Sequence, residues 1–174
     1  MKQTTWIIIA TTMLLLVACT STPAGKATHE TAPIKVGLVT PLTGPGAVWG
    51  QNLKDGFQFA VDEINAQGGI KGRMIEAVYD DDACEAAKGV SAFNSLVNTQ
   101  GVKIITGTVC SSVAMSVIPM TQENGVLYIA SGATQPDVPK MGDLVFRLWV
   151  GDDYEARAIA NFAMNNLSMK TFAV

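Results

Sequence analysis

Beyond residue 33 the apolar positions alternate between two periods. Residues 34–40 (IKVGLVT) form a short run rich in β-branched side chains, which predicts a buried strand. Residues 41–46 (PLTGPG) are a cluster of breakers. Over residues 49–67 the period lengthens: Leu53, Phe57, Ala60, Val61 and Ile64 share one stripe of a helix, and Gly68-Gly69 ends it. The alternation then repeats. Strands are predicted at 73–79, 103–106 and 126–130, with a further extended run at 144–150. Helices are predicted at 85–98 and from Ser111 or Ser112 to Asn124, where Gly125 is the stop and Pro119 is expected to bend or interrupt the helix. A last helix runs from Asp152 or Asp153 to Leu167, with Ala156, Ile159, Ala160, Ala163 and Leu167 inward, and residues 169–174 begin another strand. Repeated strand–helix units predict an α/β fold, a doubly wound parallel sheet with right-handed crossovers and helices on both faces. Such sheets take ligands beyond the carboxyl ends of their strands. The loops to inspect are therefore 40–50, 80–85, 107–112 and 130–137.

The first 33 residues have a different character. Met1-Lys2 gives a positive start, and residues 6–18 are largely apolar, broken only by Thr11 and Thr12. A spanning helix needs about 20 apolar residues, so this run has the size of a secretory signal instead. It ends Leu16-Val17-Ala18-Cys19, which resembles the lipobox of bacterial lipoproteins. That resemblance implies cleavage of residues 1–18, a diacylglycerol on the Cys19 thiol and membrane anchoring by several acyl chains. Residues 19–33 are small, polar and proline-containing and read as a flexible tether holding the lone His29.

Composition narrows the function classes. With 12 Lys+Arg against 15 Asp+Glu, the formal charge of −3 argues against a nucleic-acid partner. One histidine excludes a histidine-rich zinc site and disfavours a histidine-based triad. In an exported protein Cys84 and Cys110 either form a disulfide, worth roughly 3–4 kcal/mol on the chain-entropy model, or stay separate buried thiols.

Each candidate loop admits two readings. Gly44, Gly46 and Gly50 follow a strand and precede a helix, but their spacing and Pro45 do not fit a dinucleotide fingerprint. Ser111 and Ser112 either cap their helix or help its free N–H groups hold an anion, with a carboxylate the natural guest. The stretch 130–134 is either a small-residue turn or a close approach for a ligand, with Gly132 giving access to the backbone and Thr134 a hydroxyl. Asp80, Asp81 and Asp82 read as strand-end solvation rather than a metal site. Trp49 either covers a ligand or packs in the core.

Taken together, several segments resemble one family. KVGLVTPLTGPGAVWGQNLKDGFQFAVDEINAQGGIKGRMIEAVYDDDAC, with its TGPGA–WG loop, AVDEINAQGGIKG helix exit and DDAC strand end, is similar to the opening of the type I periplasmic binding proteins of branched-chain amino acid ABC transporters. The resemblance implies a bridge between Cys84 and Cys110, an aromatic lid at Trp49 and an α-carboxylate held at Ser111. It also implies α-amino and α-carboxylate contacts from the backbone of Gly132, Ala133 and Thr134 and from the Thr134 hydroxyl. No cofactor, metal or catalytic chemistry is expected. Partners would be an amino acid and a membrane permease complex. Residues 34–150 would be the first ligand-binding lobe and 151–174 the start of a second, truncated here, so that this chain alone would bind weakly or not at all. A ligand-sensing regulator of the same fold for amides or other small solutes is the alternative, disfavoured by the lipobox. A Rossmann-type oxidoreductase fails on the fingerprint and the export signal.

Overall fold

A computed structural model describes residues 32–171. The export signal, Cys19 and the tether up to residue 31 lie outside the described residues.

Five strands form one sheet, all parallel: β1 (Ile34–Thr40), β2 (Ile75–Asp81), β3 (Ile104–Gly107), β4 (Leu127–Ala130) and β5 (Val145–Arg147), in the order β2-β1-β3-β4-β5. The helices are α1 (Ala47–Ala66), α2 (Ala86–Asn94, continued by one π turn at Ser95–Thr99), α3 (Ser111–Asn124) and α4 (Asp152–Asn165). Successive side chains on β1 show how the sheet is covered. Val39 joins the main core with Phe93 and Leu96 on the α2 side and Val117 and Ile118 of α3. Its neighbour Leu38 points the other way, toward Leu53 and Phe57 of α1. Helices therefore lie on both faces, as the alternation predicts.

The coverage is unequal. The α2–α3 face is sealed from β1 to β5: Ile105, Tyr128, Ala130 and Val145 are all buried. On the opposite face α1 packs over β1 and β2, and beyond them Phe146 is 53% exposed and Leu148 74%.

Several expectations need correction. β2 begins at Ile75, because Ile70 and Arg73 bond to each other across a tight turn at Lys71-Gly72, both at positive φ. Pro119 does not interrupt α3; it sits on the exposed side of an unbroken helix. Neither Ser111 nor Ser112 caps that helix. Cys110 holds the N-cap position and its carbonyl accepts the Val113 and Ala114 N–H groups. Gly125 ends α3 in the left-handed region at φ 59°, as expected of a stop glycine. On α1, Ala60 is exposed and Gly50 takes a buried place in the stripe instead. On α4 only Ala163 of the inward set is buried, while Ile159 and Leu167 are 68% and 57% exposed. Residues 169–171 are not a strand, and 172–174 lie outside the described residues.

Candidate ligand-binding cleft

The chain runs from β1 outward to β2 and then returns past β1 to β3. The loops after β1 and β3 thus leave in opposite directions, which opens a crevice at the carboxyl ends of the strands. A cavity of about 440 Å³ lies there. Its walls are Trp49, Asn52 and Leu53 of α1, Val109 after β3, Ser131 and Gly132 after β4, and Trp149 after β5.

Trp49 is 67% exposed, so its indole is not a core residue. It is carried on a first turn of α1 that sits tightly against the end of β1, since a Cβ on Gly50 would lie 1.8 Å from the Pro41 carbonyl oxygen. The preceding loop is fastened by Asp81, whose Oδ1 accepts the Leu42 N–H at 2.8 Å and the Ala83 N–H at 2.9 Å. Burial pushes the Asp81 carboxyl up, but hydrogen bonds from the Thr43 hydroxyl and the amides of Ala83, Leu42 and Thr43 outweigh it and hold the pKa below the usual range. Asp81 and Asp82 are therefore not merely solvated. Asp82 is fully buried, with Oδ1 accepting the Cys84 N–H at 2.8 Å and Oδ2 without a partner among the described residues. Desolvation raises its pKa, and the neighbouring Asp81 charge adds to the effect.

Cys84 and Cys110 are bonded through their sulfurs, with Cα atoms 5.5 Å apart. The bridge ties the loop after β2 to the start of α3. Ala83, Cys84 and Thr108 all have positive φ there (45°, 64° and 51°), a conformation costing roughly 1–2 kcal/mol for a residue with a Cβ.

Two stretches meet beside the cavity. The Ser111 hydroxyl accepts the Gln135 N–H at 3.3 Å, joining the first turn of α3 to the loop after β4. The Arg147 guanidinium donates to the carbonyls of Thr134 and Gln135 at 3.2 and 2.8 Å and fixes that loop from below. Among the described residues, the amide N–H groups of Ser111, Ser112, Ala133 and Thr134 have no hydrogen-bond acceptor. Unspent donors at a helix start and in an adjoining loop suit an anion. Trp49 and Gly132 thus line the cavity itself, whereas Ser111, Ala133 and Thr134 lie beside it in sequence rather than on its wall. Ala133 is fully buried, so only its backbone is available. A Cβ at Gly132 would sit 3.1 Å from Val109 Cα, so an alanine there needs a small backbone adjustment. Among the described residues no cluster of His, Cys, Asp or Glu could hold a metal ion.

Asn52 and Trp149 escape the sequence reading, which places Leu53 only on the helical stripe and includes Val109 and Ser131 in the loops to inspect without giving them a role. For Trp149 a signal exists: it lies two residues past the last residue of β5, at a strand end, as the other candidates do.

A parallel α/β sheet with a crevice at its switch point and unspent main-chain donors defines a small-molecule-binding lobe. The chain belongs to the periplasmic binding protein family, whose model matches residues 33–174. It is 42% identical over 144 residues to the Leu/Ile/Val-binding protein BraC3 of Rhizobium johnstonii, covering 82% of this chain and 39% of that protein. It is 36% identical to the leucine-, isoleucine-, valine-, threonine- and alanine-binding protein of Pseudomonas aeruginosa, over 87% of this chain and 41% of that one. Among solved structures, the branched-chain amino acid transporter substrate-binding protein LivJ of Streptococcus pneumoniae, in complex with isoleucine, superposes with a TM-score of 0.74 at 32% identity. That match covers 78% of this chain and 39% of LivJ. These relatives are binding proteins rather than enzymes, and the chain spans about two fifths of their length.

Proposed function

We propose that this chain is the first ligand-binding lobe of an extracytoplasmic amino-acid receptor for an ABC importer. The single observation that carries the reading is the set of unspent amides at Ser111, Ser112, Ala133 and Thr134 beside an apolar cavity. A free amino acid needs both: donors for its carboxylate and an apolar wall for its side chain. In this reading the Ser111 hydroxyl and the α3 amides hold the α-carboxylate. The Gly132–Thr134 stretch and the Thr134 hydroxyl meet the α-amino and α-carboxylate groups, and Trp49 lies over the side chain. The site binds and releases; it performs no chemistry and uses no cofactor. The names of the relatives support a branched-chain ligand. Residues from about 151 onward belong to a second lobe that closes on the ligand by a hinge, and the closed form docks on the permease. The bridge at Cys84 and Cys110 serves to keep the Ser111 corner in place.

Calorimetry on the protein at the length the cell makes it, with leucine, isoleucine, valine and NAD, tests the reading. Binding of the amino acids and not of NAD is expected. Ser111→Ala should weaken amino-acid affinity by about tenfold or more, the worth of one hydrogen bond to a charged group; an unchanged affinity removes Ser111 from the site. The receptor is held to the membrane by lipid on Cys19. Labelling cells with a radioactive fatty acid should mark the wild-type protein and not Cys19→Ala, and equal labelling of both rejects the anchor.

A further inference from the structure

A hydroxyl has one hydrogen to give and lone pairs to receive with. The Ser111 oxygen accepts the Gln135 N–H at 3.3 Å and has no other partner among the described residues. Its own hydrogen is therefore unspent and turned away from Gln135. The group that arranges this is the peptide between Thr134 and Gln135, whose atoms lie in one plane. The N–H of that plane is the one Ser111 receives. The carbonyl on its other edge accepts the Asp152 N–H at 3.0 Å and Arg147 Nη1 at 3.2 Å. The same arginine nitrogen donates to the Gln135 carbonyl at 2.8 Å. Both lone pairs of the Thr134 oxygen are thus occupied, and this carbonyl has nothing left to offer a ligand.

Arg147 closes β5, in register with Ala130 at the end of β4. Its side chain is half-buried and reaches from there to the two carbonyls. Room for the guanidinium comes from Gly151, since a Cβ there would lie 2.6 Å from Arg147 Nη2. Arg147 has no carboxylate ion pair among the described residues, so the two carbonyls are the partners of its charge. A hydrogen bond from a charged donor is stronger than a neutral one, and bonds in a chain polarise one another. A cation on the carbonyl edge of this peptide therefore strengthens the N–H on its far edge as a donor. Arg147 acts on the Ser111 hydroxyl without touching it.

We propose that Arg147 is a positioning residue for amino-acid binding: through the Thr134–Gln135 peptide it turns the Ser111 hydrogen toward the ligand carboxylate and holds the adjoining Ala133 and Thr134 amides in place. The proposal rests on the amino-acid reading above and deepens it.

The test is titration calorimetry of the protein at its cellular length with L-leucine, L-isoleucine and L-valine. Arg147→Met keeps the aliphatic stem, removes the donors and should weaken binding by about tenfold. Arg147→Lys keeps a cationic donor and should stay within about threefold of the wild type. Both Arg147 and Ser111 act on one hydroxyl. The Ser111→Ala/Arg147→Met double variant should therefore lose at least about fivefold less affinity than the product of the two single losses. Gly151→Ala leaves the arginine in the chain but crowds its guanidinium. It should weaken binding in the wild type and add little to Ser111→Ala, which keeps the test alive if Arg147→Met does not fold. A residue that merely supports the fold would give losses that multiply and would not be rescued by lysine. Multiplying losses, a lysine variant as weak as the methionine one, or wild-type affinity in Arg147→Met or in Gly151→Ala overturns the role of Arg147 and leaves the amino-acid reading standing. A wild type that binds none of the three amino acids overturns both.

Discussion

Asp82 is a carboxyl group with 0% exposure whose second oxygen has no partner among the described residues, next to the charge of Asp81 and near the Tyr128 hydroxyl. Its raised pKa fixes the sign of its contribution. The folded state holds the Asp82 proton more tightly than the unfolded chain does. Stability therefore declines as pH rises from the unfolded value near about 4 toward the raised folded pKa. Asp82→Asn keeps an oxygen for the Cys84 N–H and cannot ionise. The variant should melt at a higher temperature than the wild type at pH 7, and the gap should shrink below about pH 4. Melting curves across that range check it; a gap of constant size would mean that ionisation is not the cause. The neighbouring Asp81 contributes with the opposite sign, because hydrogen bonds lower its pKa, and its grip on the loop after β1 is lost on acidification. Two adjacent carboxyls of one loop are thus tuned in opposite directions, Asp82 upward by burial and Asp81 downward by the hydrogen bonds it accepts.

At the level of elements, α1 is the piece that brings Trp49 to the cleft, and two of its glycines offer a direct comparison. A Cβ on Gly50 would meet the Pro41 carbonyl oxygen at 1.8 Å, whereas one on Gly56 meets nothing within 4 Å. Gly50→Ala should lower stability by at least about 2 kcal/mol, because backbone cannot yield as a flexible side chain does. Gly56→Ala should raise it by roughly 0.4–1 kcal/mol through helix propensity and a less free unfolded chain. Denaturant titration of both variants checks the pair, and similar effects from the two would contradict the packing described. Most elements were legible in the sequence because each has a strong period and a clear stop: β1 ends at the breaker cluster, α1 at Gly68-Gly69, α3 at Gly125. What was not legible depended on partners distant in the chain. The buried place of Gly50 is set by Pro41. The position of Trp149 is set by β4 and by the loop that Arg147 holds, and no local pattern reports either. The apolar positions of α4 recur at helical spacing, but spacing alone does not report burial, and among the described residues only Ala163 of that set is buried. The Ser111 corner was legible in part: its donors follow from a helix start, while the Gln135 contact needed the fold.

At the scale of the whole molecule, the apolar side chains of the described residues are distributed unevenly. One face of the sheet is sealed, and the other leaves Phe146, Leu148 and Trp149 exposed, while α4 adds Ile159 and Phe162. Exposed apolar surface of this extent drives association. Residues 32–174 produced alone should bind the dye ANS at neutral pH and run above monomer size in gel filtration. Phe146→Lys combined with Phe162→Lys should reduce both effects. A monomer that takes up no dye would show that this surface is less open than described. The turns at the carboxyl ends of the strands have another kind of durability. Peptide N–H groups such as those of Ala133 and Thr134 have no codon of their own, so substitution cannot easily erase them. In the amino-acid reading proposed above, a lobe of this kind can change the side chains that line its cavity, and with them the solute it captures, while the main-chain donors that would meet the solute's charged end stay in place.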